Sequence, residues 1–187
     1  MSVERVALFH DIGKIHAALF DLVHDDDTDV TPEERRLIAT HPQRGADVLE
    51  PFSFFYPELP EGVLSHHERW DGSGYPLGLA GEDIPLEARL VAITDTFDAM
   101  THHRRYRRAQ RIEDAVGTIA EGSGTQFDPM LVSVFLEPEV CARVRRLARG
   151  NVLPRHGPPD GERRSHDEAK APDVTFRWRD RPMSPPA

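Results

Sequence analysis

One cysteine in 187 residues is too few for a disulfide within the chain or for a thiolate-rich zinc site. Cys141 therefore reads as a small, half-buried apolar residue. Long apolar runs are missing too. No stretch approaches the length of a membrane helix, and MSVERVALFHD has neither the basic start nor the extended apolar middle of a signal peptide. Positive charge is in deficit: Lys+Arg 23 against Asp+Glu 32 gives a formal net charge of −9, which argues against broad electrostatic binding to a nucleic-acid polymer or an anionic membrane. The expectation is a cytoplasmic protein that meets any anionic substrate with a local basic patch. Strand-like alternation is lacking over any useful length, so the fold class expected is all-α.

What is present divides at Gly150. Residues 1–150 have the length and apolar content of one domain, whereas 151–187 are rich in proline and charge and predict a disordered tail in which Phe176 and Trp178 are incidental. Within the domain, Thr31-Pro32-Glu33-Glu34 combines a hydroxyl N-cap, a first-turn proline and a capping-box glutamate. It predicts a helix that carries Leu37 and Ile38 inward and ends at His41. Leu86, Leu90, Ile93 and Phe97 recur at helical spacing in a core helix that closes near Thr101. Ile112, Val116 and Ile119 mark another, Asp128-Pro129 caps a third carrying Leu131, Val132 and Phe135, and Val140, Val144 and Leu147 trace a weaker fourth.

The residues that carry chemistry are histidines and carboxylates. His10 stands beside Asp11 with Lys14 three residues on, His41 follows in ATHPQRG, and His66-His67 opens the densest stretch of the chain. Asp95 falls among Leu90, Ile93 and Phe97, where an uncompensated carboxylate is costly, so a cation is expected beside it. Imidazole with carboxylate suits iron, manganese, zinc or nickel. Successive helical side chains diverge by roughly 100°, so each adjacent pair can straddle two metal positions, with one aspartate as a bridge. Such a centre holds a phosphodiester oxygen and lowers the pKa of a bridging water. Lys14 would add positive charge at the phosphate.

In family order, HDIGK at 10–14, TPEE with ATHPQRGADVL at 31–49, HHERWDGSGYPLGLAGEDIPLEARL at 66–90, ITDTFDAMT at 93–101 and FDP at 127–129 resemble the HD-GYP phosphodiesterases, a branch of the HD superfamily. The resemblance covers roughly residues 3 to 136. It implies an HD-domain helical bundle that hydrolyses cyclic di-GMP to pGpG, and possibly on to GMP, with two divalent ions, iron or manganese. It further implies metal ligation by His10, Asp11, His41, His66, His67 and Asp95, catalytic roles for Asp11 and Lys14, and a pocket shaped by Gly74, Tyr75 and Pro76. The other reading is a catalytically impaired module that binds a cyclic dinucleotide or a signalling partner.

The loop fits that role by its own chemistry: Gly72 and Gly74 permit tight turns, Pro76 fixes the exit, and Tyr75 offers a ring face to a guanine. In HHRRYRRAQR, Arg104, Tyr106 and Arg107 match a family segment of the type DRPYR, while His103 and Arg105 replace its aspartate and proline. Arg104 and Arg107 are thus candidate clamps for phosphate or guanine edges. His16 and His24 read as surface residues. The acidic run 24–29 fails as a calcium loop, because Val30 and Arg36 stand where a glycine and a bidentate glutamate are needed.

Family members carry helices upstream of HDIGK, one of which supplies a histidine to the metal position shared by the residues matching His10, Asp11 and Asp95. The sequence given has no such residue, so that position is expected to be short of one ligand; the expectation is a fragment of a longer chain, the alternative a reduced form that relies on a partner or has lost catalysis. Val6, Leu8 and Phe9 would then be uncovered, favouring self-association.

Overall fold

Helix starts written in the sequence are where the chain turns helical. A computed structural model describes residues 2–15, 31–102 and 109–150. Among these, the α-helices are α1 (Ser2–Phe9), α2 (Pro32–Ile38), α3 (His41–Leu49), α4 (Glu58–Ser65), α5 (Leu86–Thr101), α6 (Ile112–Glu121), α7 (Pro129–Phe135) and α8 (Pro138–Gly150). No β-strand occurs among the described residues, so the fold is all-α as expected. None of their helices is long and apolar enough to cross a membrane.

Local capping sets two of the starts. Thr31 closes the capping box of α2: its hydroxyl accepts from the Glu34 N–H at 3.2 Å, while the Glu34 carboxylate accepts from the Thr31 N–H at 2.7 Å. Asp128 caps α7, its Oδ1 accepting from the N–H of Met130 at 2.8 Å and of Leu131 at 3.4 Å. The other oxygen of this buried carboxylate takes a 2.7 Å ion pair from Arg89, which ties α5 to the start of α7.

Helix α5 is the central element because it feeds two cores. Val91 packs with Val6, Leu49, Leu59 and Val63, whereas Ile93 and Phe97 pack with Ile119, Phe127, Val132 and Phe135. Burying side chains of this size contributes about 1.5–3 kcal/mol each, and splitting them between two clusters leaves the Asp95 face of α5 directed at the site.

Several expected positions move. His41 does not end α2; it is the first residue of α3, separated from Ile38 by two residues. Leu86 is exposed, since it opens the helix, and Ala88 and Val91 take the inward role there. Leu147 is likewise exposed on α8. Val6 is fully buried, because Gly62 on α4 lets it approach: a Cβ at Gly62 would stand 2.6 Å from Val6 Cγ2. Leu8 is exposed and Phe9 half-buried. The candidate clamps Arg104 and Arg107, together with His103, Arg105 and Tyr106, lie outside the described residues, as do His16, His24, the acidic run and the tail at 151–187.

Candidate metal centre and substrate pocket

The predicted ligands come from four places in the chain. His10 and Asp11 follow the last turn of α1, His41 begins α3, His66 and His67 follow α4, and Asp95 lies midway along α5. They converge. His41 Nε2 lies 3.2 Å from Asp11 Oδ1 and 3.2 Å from His66 Nε2, and His66 Nε2 lies 4.0 Å from Asp11 Oδ1. Ligand atoms of His41, His66 and His67 all lie within 4.8 Å of one another. On the other side of the aspartate, His10 Nε2 is 3.6 Å from Asp11 Oδ2 and 3.8 Å from Asp95 Oδ1. Asp11 thus turns one oxygen to each histidine group. Lys14 Nζ donates to Asp11 Oδ2 at 2.7 Å, so in this structure it is the counterion of that carboxylate.

The donor set fits a cation. His41 Nδ1 is 2.8 Å from the Ile38 carbonyl and His66 Nδ1 is 2.6 Å from that of Val63. A carbonyl oxygen only accepts, so each Nδ1 carries a hydrogen, and with that one hydrogen on the ring each Nε2 is left as a lone pair for a cation. Two lone pairs and the carboxylate oxygen Asp11 Oδ1, which is buried without a hydrogen bond, then face one another. Three acceptors at this spacing repel unless a cation sits among them. His10 is oriented in the same manner, with Nδ1 2.8 Å from the Ala7 carbonyl and Nε2 turned inward.

Charge states follow from the crowding. Burial, then the neighbouring His67, pushes His66 down to about 3; burial, then His41, pushes His67 down to about 4. Burial acts against the charged forms of His10 and Asp11 as well, but there it is outweighed. Asp95 and Asp11 raise His10, and the His41 ring and Lys14 ammonium hold Asp11 far below the usual carboxylate range. Asp95 is lowered by its hydrogen bond with His10, against the effect of burial.

A pH dependence follows for the metal-free protein. The folded pKa values of His66 and His67 lie below the ordinary 6.5. Below pH 6.5 the unfolded chain therefore binds protons that the folded chain refuses. Stability is expected to fall as pH drops from 6.5 towards 4, by up to about 1.4 kcal/mol per pH unit for each histidine. His10 has the opposite shift, so its contribution is fully present below 6.5 and is lost at higher pH. Urea midpoints of chelator-treated protein at pH 6.5 and pH 5 check this; a midpoint that holds steady would show that neither histidine is buried neutral.

Beside the histidines lies a cavity of about 390 Å³ lined by His67, Arg69, Tyr75, Asp95, Thr96 and Gln126 among others. Tyr75 does not offer both faces to a ligand: its ring stacks on His67, with centroids 5.0 Å apart and planes at 19°. Burial pushes the Tyr75 hydroxyl up to about 12, aided by Asp11 and Asp95. Gly74 is required by close approach, since a Cβ there would stand 2.4 Å from the Arg69 backbone nitrogen. The peptide bond from Tyr75 to Pro76 is cis.

Glu68 was not foreseen as a site residue. It is buried, and its Oε1 accepts from the N–H of Leu77 at 2.6 Å and of Gly78 at 3.1 Å. This clasps the Tyr75-Pro76 turn back onto the residue next to His67. No local pattern in the sequence marked it, because its partners lie nine and ten residues on.

The fold and site together define an all-helical domain with a histidine-rich cluster able to hold metal. The chain belongs to the HD domain family, which it matches over residues 1–131, and its motifs are those of the HD-GYP branch. It is 38% identical over 142 residues to a protein of Vibrio cholerae named as a probable cyclic di-GMP phosphodiesterase, covering 72% of this chain and 32% of that one. It is 37% identical over 156 residues to a cyclic di-GMP phosphodiesterase of Pseudomonas aeruginosa, covering 80% and 37%. A 3'3'-cGAMP-specific phosphodiesterase of Vibrio cholerae is 31% identical, covering 72% and 26%. The chain thus spans about a third of the length of these curated relatives. A crystal structure of a cyclic GMP-AMP phosphodiesterase from the same organism shares the fold, with a TM-score of 0.50 at 23% identity over 82% of this chain and 44% of that one.

Proposed function

We propose that the chain is a cytoplasmic, metal-dependent phosphodiesterase that hydrolyses cyclic di-GMP to linear pGpG. The observation that carries this reading is the set of inward-facing acceptors, His41 Nε2, His66 Nε2 and the unpaired Asp11 Oδ1, at 3.2 to 4.0 Å. His41, His66, His67 and Asp11 would hold one ion, and His10, Asp11 and Asp95 a second, with iron or manganese suited to the mixed imidazole and carboxylate donors. Bound there, the ions would activate a water at neutral pH and offset phosphodiester charge.

The chain's own residues do the positioning. Asp11 turns Oδ1 to His41 and His66 and Oδ2 to His10, so it would serve both positions. Lys14 keeps that carboxylate ionised and supplies a further positive charge beside the phosphate, while Arg104 and Arg107 are proposed as additional clamps. The cavity receives the part of the substrate next to the scissile phosphate, with Gly74, Tyr75 and Pro76 setting its shape. The names of the relatives support a cyclic dinucleotide as the substrate class.

Full-length protein loaded anaerobically with ferrous iron or manganese, then incubated with cyclic di-GMP, tests the reading by nucleotide chromatography. Conversion to pGpG is expected. Retention of intact cyclic di-GMP without conversion would point instead to a binding module, and hydrolysis confined to mononucleotides would assign the chain to different HD-domain chemistry.

A further inference from the structure

Arg69 lines the same cavity as His66, His67 and Asp95, and its guanidinium is fixed in place. Nε donates to Ser73 Oγ at 2.9 Å and Nη2 to Asp71 Oδ2 at 3.3 Å, while Ser73 Oγ donates in turn to Asp71 Oδ1 at 2.6 Å. Of the five N–H groups of a guanidinium, these bonds use two. Among the described residues no partner takes the remaining three, on a group that never loses its charge.

A phosphodiester placed at the histidines puts its attached nucleoside within reach of this cavity, whose volume of about 390 Å³ admits a purine. The two purines differ at the edge an arginine reads. Guanine presents two acceptors, O6 and N7, side by side; adenine presents N7 beside the N6 amino donor, which opposes a guanidinium N–H. Gln126, also in the lining, carries both a donor and an acceptor on one amide and can turn to suit either base. Of the side chains lining the cavity, Arg69 carries the one planar fork of donors that matches O6 and N7 together.

We propose that Arg69 is a specificity-determining residue that reads a guanine base in this cavity through paired hydrogen bonds to O6 and N7. The proposal rests on the reading of the chain as a cyclic di-GMP phosphodiesterase and adds the residue that makes the selected base guanine. Cyclic di-GMP fills the cavity in either orientation. The mixed cyclic GMP-AMP does so in one of two, and cyclic di-AMP in neither.

Two measurements test it on the full chain: kcat/KM for the three cyclic dinucleotides with manganese, and calorimetric affinity for the same three with chelator present. The wild type is expected to favour cyclic di-GMP over cyclic di-AMP by at least about tenfold, with cyclic GMP-AMP within about twofold of cyclic di-GMP, as one productive orientation in two requires. Arg69→Lys keeps the charge and loses the planar fork. It should bring the ratio of cyclic di-GMP to cyclic di-AMP close to one, while a pure phosphate contact would leave that ratio unchanged. Arg69→Ala should do the same with lower affinity throughout; should it fail to fold, the lysine variant decides.

A wild type indifferent to the base, or a ratio that survives in Arg69→Lys, overturns the proposal. Guanine-selective binding without turnover would retire the hydrolytic reading and keep the subsite. Turnover without base preference would do the reverse, and absence of both binding and turnover would remove both.

Discussion

Asp11→Ala is expected to lower cyclic di-GMP turnover at least about a thousandfold, equivalent to about 4 kcal/mol of barrier, with the helical circular dichroism of the wild type retained. The reasoning starts from what the carboxylate touches. Its Oδ1 is buried without a hydrogen bond beside His41 and His66, and its Oδ2 faces His10 and Lys14. In the metal-free protein the two oxygens act oppositely: Oδ1 is a buried acceptor without a donor, which costs stability, while the ion pair of Oδ2 with Lys14 contributes some back. Removing the carboxylate relieves the cost and forfeits the ion pair, leaving Lys14, which is partly exposed, to find water. Metal-free stability should therefore change little.

With metal the two proteins diverge. An ion at about a hundredfold above its dissociation constant stabilises the folded state by about 2.7 kcal/mol, which raises the melting temperature of a chain this size by about 5–10 °C. The wild type should show that rise on adding manganese, and Asp11→Ala should show little of it because both histidine groups lose a shared ligand. Differential scanning fluorimetry with and without manganese reads the effect. A variant that still melts higher with manganese and still turns over substrate would remove Asp11 from the centre.

The members of the candidate site were legible because such residues are chemically expensive in a packed domain. Asp95 among Leu90, Ile93 and Phe97, and histidines in adjacent pairs, are patterns that a packed helical domain carries only with compensation. The capping box at Thr31 was legible for a similar reason, as two hydrogen bonds specified by residue types at fixed spacing. Helices α3 and α4 were not. HPQRGADVL and ELPEGVLS each contain a proline and a glycine and read as poor helix formers. Both prolines lie early in their helices, where a missing N–H is harmless, and Gly45 and Gly62 are contact points instead of breaks. Gly62 admits Val6, and Gly45 faces Gly13. Packing between elements overrides propensity at these places, and no local pattern reports it. The same holds for Glu68, whose partners lie nine and ten residues away across a turn.

That glycine contact leads to the second large effect. Gly13 lies in the 3₁₀ turn Ile12–Ile15, directly after the aspartate, and packs against the first turn of α3. A Cβ at Gly13 would stand 2.1 Å from the His41 carbonyl oxygen and 2.7 Å from the Gly45 nitrogen. Both are backbone atoms, so no rotamer change relieves the clash; either the turn or α3 has to move. Movement of about 1 Å there acts on the 3.2 Å approach of His41 to Asp11, since the two residues sit on the two elements being pushed apart. Gly13→Ala is therefore expected to destabilise the domain by at least about 1–3 kcal/mol, the usual cost of overpacking, and to abolish the rise in melting temperature with manganese. Gly117→Ala is the matched control. Gly117 lies within α6, and a Cβ there meets nothing within 4 Å. Alanine there should stabilise the domain by about 0.5–1 kcal/mol and leave the metal response intact. Chemical denaturation and manganese titration of the two variants separate the outcomes. A Gly13→Ala protein with wild-type stability and a full metal response would show that the turn carrying His10 and Asp11 is not held against α3 as closely as this contact requires.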